Sequence, residues 1–220
     1  MTLRQVFELL HRRYGPQHWW PGDTPFEVMV GAVLTQNTAW SNVEKAIANL
    51  KAHGALDPAV IHHTHAATLA AWLKPSGYFN IKARRLQNFC AWYLDAGGLA
   101  PLQQLETPAL RKALLAVNGI GPETADDMLL YAFERPVFVI DAYTRRIFSR
   151  LQLVAGEESY EELRHYFEEG LGRGADNVPL FNEFHALIVV HAKQVCRAKP
   201  LCGSCCMQRR CPVGRGNGKE

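Results

Sequence analysis

The chain has 220 residues, 48% hydrophobic and 20% charged, which is enough apolar material for one or two self-sufficient cores and excludes a disordered tail. Lys and Arg number 24 against 21 Asp and Glu, so the formal net charge of +3 does not by itself announce a nucleic-acid partner. No stretch approaches the roughly 18 apolar residues of a membrane span. Arg4, Glu8, Arg12 and Arg13 also interrupt the start where a secretory signal would be apolar, so a cytoplasmic location is expected.

In chain order the pattern is helix after helix. Thr2-Leu3-Arg4-Gln5 is a capping-box signal opening an amphipathic run that stops at Gly15-Pro16. Thr24-Pro25-Phe26-Glu27 repeats it with Pro at the first helical position, and Phe26, Met29, Val30, Val33 and Leu34 keep a helical period, predicting a buried helix. Further helices are predicted over about Ser41 to His53, Thr64 to Leu73, Phe79 to Asp95, Thr107 to Val117, from Gly121 to Phe133, Asp141 to Leu151, Ser159 to Leu171 and Pro179 to Val195. Only Val137 to Ile140 reads as a strand, and it is too short and solitary for a sheet. The fold class is all-α.

Two features carry chemistry. Asn118-Gly119-Ile120-Gly121-Pro122 joins two helices through a turn whose glycines permit positive φ and close backbone approach. The following helix starts with N–H groups able to meet a phosphate, although a tight corner between helices would look the same. The cysteines are unevenly placed: Cys90 stands alone in an apolar run, whereas Cys196, Cys202, Cys205, Cys206 and Cys211 crowd near the C-terminus. In a reducing compartment such crowding favours metal or cluster ligation over disulfides. Four thiolates suit an iron–sulfur cluster or tetrahedral zinc.

The glycine turn, then Asp141 in Val139-Ile140-Asp141-Ala142-Tyr143-Thr144-Arg145-Arg146, then the cysteines, together resemble the helix-hairpin-helix DNA glycosylases of the endonuclease III superfamily. Leu34-Thr35-Gln36-Asn37-Thr38 and Gly77-Tyr78-Phe79-Asn80-Ile81-Lys82-Ala83 look like the family's two DNA-probing loops. On its own Asp141 reads as a helix N-cap. The resemblance adds a catalytic role in which the carboxylate stabilises the positive charge left on the sugar as the base departs. Glu123 falls where bifunctional members carry the lysine that forms a Schiff base, which implies a monofunctional enzyme that hydrolyses with water.

The resemblance further implies two lobes flanking a DNA cleft, 21–133 and 1–20 with 134–220, acting as a monomer on double-stranded DNA containing a damaged base, with no membrane association and a nucleoid setting. Trp19, Trp20 and Trp40 are similarly placed to the base-sandwiching aromatics of the 3-methyladenine DNA glycosylase III branch, and a cationic alkylated purine stacks well on indole. Alkylated purines such as 3-methyladenine are therefore the expected substrates. The alternatives are oxidised or mismatched pyrimidines, or a non-catalytic iron–sulfur DNA-binding protein. Gln36 and Tyr78 are the expected wedge residues. Gly119, Gly121, Asn80, Lys82, Arg145 and Arg197 are the expected DNA contacts. Cys196, Cys202, Cys205 and Cys211 give C-x5-C-x2-C-x5-C, one residue shorter in its first interval than the family's [4Fe-4S] pattern, with zinc as the alternative and Cys206 as a fifth thiol.

Overall fold

The computed structural model describes residues 1–19, 22–172 and 174–216. Among them no residue lies in a strand, and no helix is long and apolar enough to cross a membrane. The chain divides into two compact units, one of Trp20–Arg135 and one of Met1–Trp19 with Pro136–Glu220.

The central unit contains α2 (Pro25–Leu34), α3 (Trp40–Ala52), α4 (Pro58–His63), α5 (Ala66–Leu73), α6 (Phe79–Asp95), α7 (Leu99–Gln103), α8 (Thr107–Leu115) and α9 (Pro122–Asp127). Thr24 caps α2 by accepting from the Glu27 N–H, as the sequence pattern requires. Every residue of α2 from Glu27 to Leu34 is buried, and the helix packs against α3, α6, α9 and the turn that follows α9. The short helices α4 and α7 escape periodicity, since neither offers two full turns of pattern. The single helix expected from Gly121 to Phe133 is instead α9 followed by a π-helical turn, Met128–Ala132, in which the Phe133 N–H reaches the Met128 carbonyl at 3.1 Å.

The second unit contains α1 (Leu3–Tyr14), α10 (Ala142–Arg150), α11 (Tyr160–Leu171), α12 (Val178–Gln194) and α13 (Pro212–Gly216). The capping box expected at Thr2 forms with Gln5 at α1, and a second one forms at α11 between Ser159 and Glu162. Its core is aromatic, with Phe138 stacked on Phe167 at 4.5 Å and edge-on to Phe181 and Phe184. Val137–Ile140 is buried and extended but pairs with no strand. Two of its backbone donors are met by side chains instead, Phe138 N–H by Glu168 Oε1 at 3.2 Å and Ile140 N–H by the Tyr160 hydroxyl at 3.4 Å.

Candidate active site

Asp141 ends this extended segment and begins α10. Its Oδ1 accepts from the Thr144 N–H at 2.6 Å and from the Thr144 hydroxyl at 2.8 Å, so it caps the helix while one carboxylate oxygen is fully oriented. The other oxygen, Oδ2, faces His185 Nε2 of α12 at 3.7 Å, an ion-pair distance rather than a hydrogen bond. Burial is the largest influence on this carboxyl and opposes its charge. The His185 imidazole and the two Thr144 donors together outweigh burial and hold the pKa below the usual aspartate value. The group is therefore an ionised carboxylate in a mostly dehydrated setting, its side chain 13% exposed.

The Trp19 ring lies 5.8 Å from the His185 ring at 18° between planes, so Trp19, His185 and Asp141 form one continuous constellation. Sequence reasoning selected Trp19 and Asp141 and missed His185. That residue sits in the run Phe184-His185-Ala186-Leu187, where an apolar helix face makes histidine look like filler. The available signal was a titratable side chain on a helix whose buried residues are mostly apolar. Trp20 lies outside the described residues.

Trp40 belongs to the central unit, where it opens α3. Its ring covers Gly31 of α2, at which a Cβ would lie 3.0 Å from Trp40 Cη2, and it lines a cavity of about 610 Å³ with Glu27, Glu44 and Lys51. The acidic wall is partly neutralised, because Lys51 reaches Glu27 and Asp23, each at 2.8 Å.

The glycine turn uses its two glycines differently. Gly119 has φ +98°, and a Cβ there would sit 2.3 Å from Arg85 Cγ, so only glycine fits. Gly121 has φ −94°, an ordinary value, so it does not use the freedom glycine permits, and a Cβ added to it would meet no atom within 4 Å. Glu123 is exposed in the first turn of α9.

The expected wedge residues also differ. Tyr78 is 69% exposed, holds a left-handed backbone at φ 46° and precedes α6, with Ile81 52% exposed one turn on. Gln36 is half-buried and bonded: its Nε2 donates to the Gly119 carbonyl at 3.1 Å and to Thr124 Oγ1 at 2.9 Å, and its Oε1 accepts from Arg85.

Among the expected DNA contacts, Asn80 and Arg197 are exposed. Lys82 is not available as expected. It is 1% exposed, and its ammonium donates to the Leu34 carbonyl at 2.8 Å and the Ser76 carbonyl at 2.6 Å, because its position on α6 faces the core rather than solvent. Burial, with repulsion from Arg85, lowers its pKa to about 8. Arg145 is half-buried and donates to the Glu158 carbonyl at 2.6 Å, so that nitrogen is committed within its own unit rather than offered to a phosphate.

The C-terminal thiols are all unoxidised. Cys205 Sγ lies 3.6 Å from His191 Nε2, Cys196 Sγ accepts from Arg150 at 3.4 Å, and Cys211 donates to the Arg150 carbonyl at 3.4 Å. Arg146 and Arg150 of α10 also donate to the carbonyls of Cys196 and Arg197, at 2.9 and 2.6 Å, anchoring the start of the loop. The donor chemistry fits a thiolate-ligated cluster. As folded, however, no group of three or more His, Cys, Asp or Glu among the described residues is arranged to hold a metal.

Comparison with known proteins gives a family for this geometry. A family model described as HhH-GPD superfamily base excision DNA repair protein matches residues 30–173. A Methanocaldococcus jannaschii chain whose name proposes a DNA repair glycosylase is 42% identical over 211 residues, covering 94% of each chain. The H. pylori 3-methyladenine DNA glycosylase MagIII, solved with 1,N6-ethenoadenine, is 31% identical with TM-score 0.76, covering 88% of this chain and 98% of its own. An endonuclease III–DNA complex, at 20% identity, shares the fold with TM-score 0.84 over 100% of both chains. The chain belongs to the HhH-GPD superfamily of base excision DNA repair proteins.

Proposed function

We propose that this DNA glycosylase is monofunctional, hydrolyses the bond between a damaged base and deoxyribose, and favours alkylated purines such as 3-methyladenine in double-stranded DNA. The observation that carries the reading is the Asp141 carboxylate, ionised, with one oxygen fixed by Thr144 and the other turned toward His185. As the C1′–N bond lengthens, its electron pair goes to the base and the sugar becomes cationic. A fixed anion in a mostly dehydrated site stabilises that state without reorganising. Water then supplies its oxygen to C1′, and Asp141 Oδ2 accepts the proton it gives up.

A base methylated on a ring nitrogen is already cationic, leaves as a neutral molecule and asks for little acid assistance. Its recognition rests on indole faces, for which Trp19 and Trp40 are the candidates. The name of the H. pylori relative supports the same substrate class. Glu123 supports the monofunctional reading, because a carboxylate cannot form the Schiff base that precedes strand cleavage. Tyr78 would press into the base stack, and the open side of Gly121 would let the DNA backbone approach the turn. Cys196, Cys202, Cys205 and Cys211 would hold a [4Fe-4S] cluster whose contribution is structural, pinning a loop that carries the exposed Arg197 and Lys199.

The test is a panel of duplexes each carrying one lesion, followed for base release and, separately, for strand cleavage with and without alkali. Release of 3-methyladenine with breaks only after alkali is the expected result. Preference for thymine glycol would refute the alkylation reading, and release of no base at all would leave a DNA-binding protein.

A further inference from the structure

One face of α6 sends three polar side chains, at three-residue spacing, to three separate loops, Lys82 and Asn88 to backbone carbonyls and Arg85 to the Gln36 side chain. Lys82 donates to the carbonyl of Leu34, the residue immediately before the Gln36 loop, and to that of Ser76, immediately before Gly77-Tyr78. Arg85 donates to the Gln36 side chain, which in turn holds the Gly119 carbonyl and Thr124. The aliphatic stem of Arg85 also fills the space a Gly119 side chain would need. Asn88 donates to the Asn118 carbonyl at 3.2 Å, at the head of the glycine turn. The next basic residue, Arg84, points the other way and is exposed. A basic run that looks like a phosphate-binding patch in sequence is thus divided by the helix into one outward and two inward groups.

We propose that Lys82, Arg85 and Asn88 form a positioning bracket that sets the mutual spacing of the Gln36 loop, the Tyr78 turn and the glycine turn. Each member has its own territory: Lys82 ties the first to the second, Arg85 the first to the third, and Asn88 secures the third alone. None of them is a phosphate contact in this role. Lys82 in particular is enclosed and spends its donors on two carbonyls that would otherwise face the interior. The consequence for DNA binding rests on the reading that these loops meet the duplex; the bracket itself does not.

The experiment is amide hydrogen exchange of the full chain, read peptide by peptide, for Lys82→Met, Arg85→Met and Asn88→Ala. Lys82→Met keeps the length of the side chain and removes its charge and donors. It is expected to speed exchange about tenfold or more at 35–39 and 77–79 while leaving 118–121 as in the parent. Arg85→Met should loosen 35–39 and 118–121 and spare 77–79. Asn88→Ala should act on 118–121 only. If Lys82→Met does not fold, the contrast between the other two variants still decides the matter. Exchange that rises uniformly, or not at all, overturns the bracket.

Duplex affinity measured against salt gives the second readout. Lys82→Met should bind more weakly with an unchanged slope of log K against log salt, whereas loss of a phosphate contact would reduce that slope by about one. A reduced slope contradicts the positioning role. If the loops loosen in the expected pattern and affinity does not move, the bracket stands and the assignment of these loops to DNA fails.

Discussion

The two glycines of the hairpin turn make a contrasting pair, because Gly119 is required by the fold, whereas Gly121 borders open space where the proposed function would bring the DNA backbone. In Gly119→Ala the new Cβ meets two costs. The backbone at φ +98° disfavours any side chain by about 1–2 kcal/mol. The methyl would also stand 2.3 Å from Arg85 Cγ, so the guanidinium must leave Gln36. A hydrogen bond involving a charged group contributes about 1.5–3 kcal/mol when buried, and the lower end applies here because both partners are half-exposed. The sum is about 2.5–3.5 kcal/mol, which for a chain of this size lowers the melting temperature by about 5–14 °C. In Gly121→Ala the methyl enters open space at φ −94°, so stability should stay within about 0.5 kcal/mol of the parent. Duplex affinity should fall about tenfold, since the methyl stands where a phosphate would approach the backbone amides. Thermal unfolding by circular dichroism and fluorescence anisotropy with a labelled duplex at fixed salt measure the two quantities. Equal melting shifts in the two variants, or a Gly119→Ala protein that melts within 2 °C of the parent (about 0.5–1 kcal/mol), would refute the division.

The remaining predictions concern Asp141, Glu123 and the C-terminal cysteines. Because the folded Asp141 carboxyl has a lowered pKa, the stability it adds is fully present above the ordinary aspartate value of about 4 and is lost as pH falls through the folded value. The stability difference between the parent and Asp141→Asn, whose asparagine caps the helix equally well, should hold down to about pH 4; a difference that vanishes by about pH 6 would assign the charge effect to another group. Glu123→Lys should produce an adduct with abasic DNA that borohydride traps, and the parent should produce none; trapping by the parent defeats the monofunctional reading. Protein prepared anaerobically should carry about four irons and four sulfides, reduced by Cys→Ser at 196, 202, 205 or 211 and not at 206, whereas zinc without sulfide would end the cluster assignment.

What the sequence made legible follows from how local the physics was. The helix start written as a capping box at Thr2 appears as such, and Thr24 caps α2 from the same pattern, because cap and partner lie three residues apart and need no tertiary help. Asp141 was readable both as a cap and as a candidate catalyst; one oxygen makes the cap, and the other, turned toward His185, is the one the proposed function uses. His185 was only weakly readable: a titratable side chain in an apolar run hints at a partner, but that partner lies on another element and nothing in the run names it. Lys82 misled for the same reason, since a lysine among arginines signals charge, while the direction it faces is decided by the register of α6 against α2. The cysteine spacing announces ligands, yet convergence of four thiols depends on a group that pulls them together as well as on the chain.

Lys82 also bears on how the two expected wedges differ. The carbonyl at the C-terminal end of α2 lies in the interior with no helical partner of its own, and a buried ammonium from α6 supplies the donor that water would supply at a surface. With that end satisfied from inside, the Gln36 loop needs no solvent to hold its shape, and Gln36 can commit its amide to the glycine turn and to Arg85. The commitment has a consequence for DNA. To enter a duplex Gln36 would have to release hydrogen bonds that organise the turn, whereas Tyr78, 69% exposed on a strained left-handed residue at the tip of its own turn, gives up nothing comparable. On the reading that these loops meet DNA, Tyr78 is therefore the side chain proposed to unstack a base step, while Gln36 keeps the turn beside it in register.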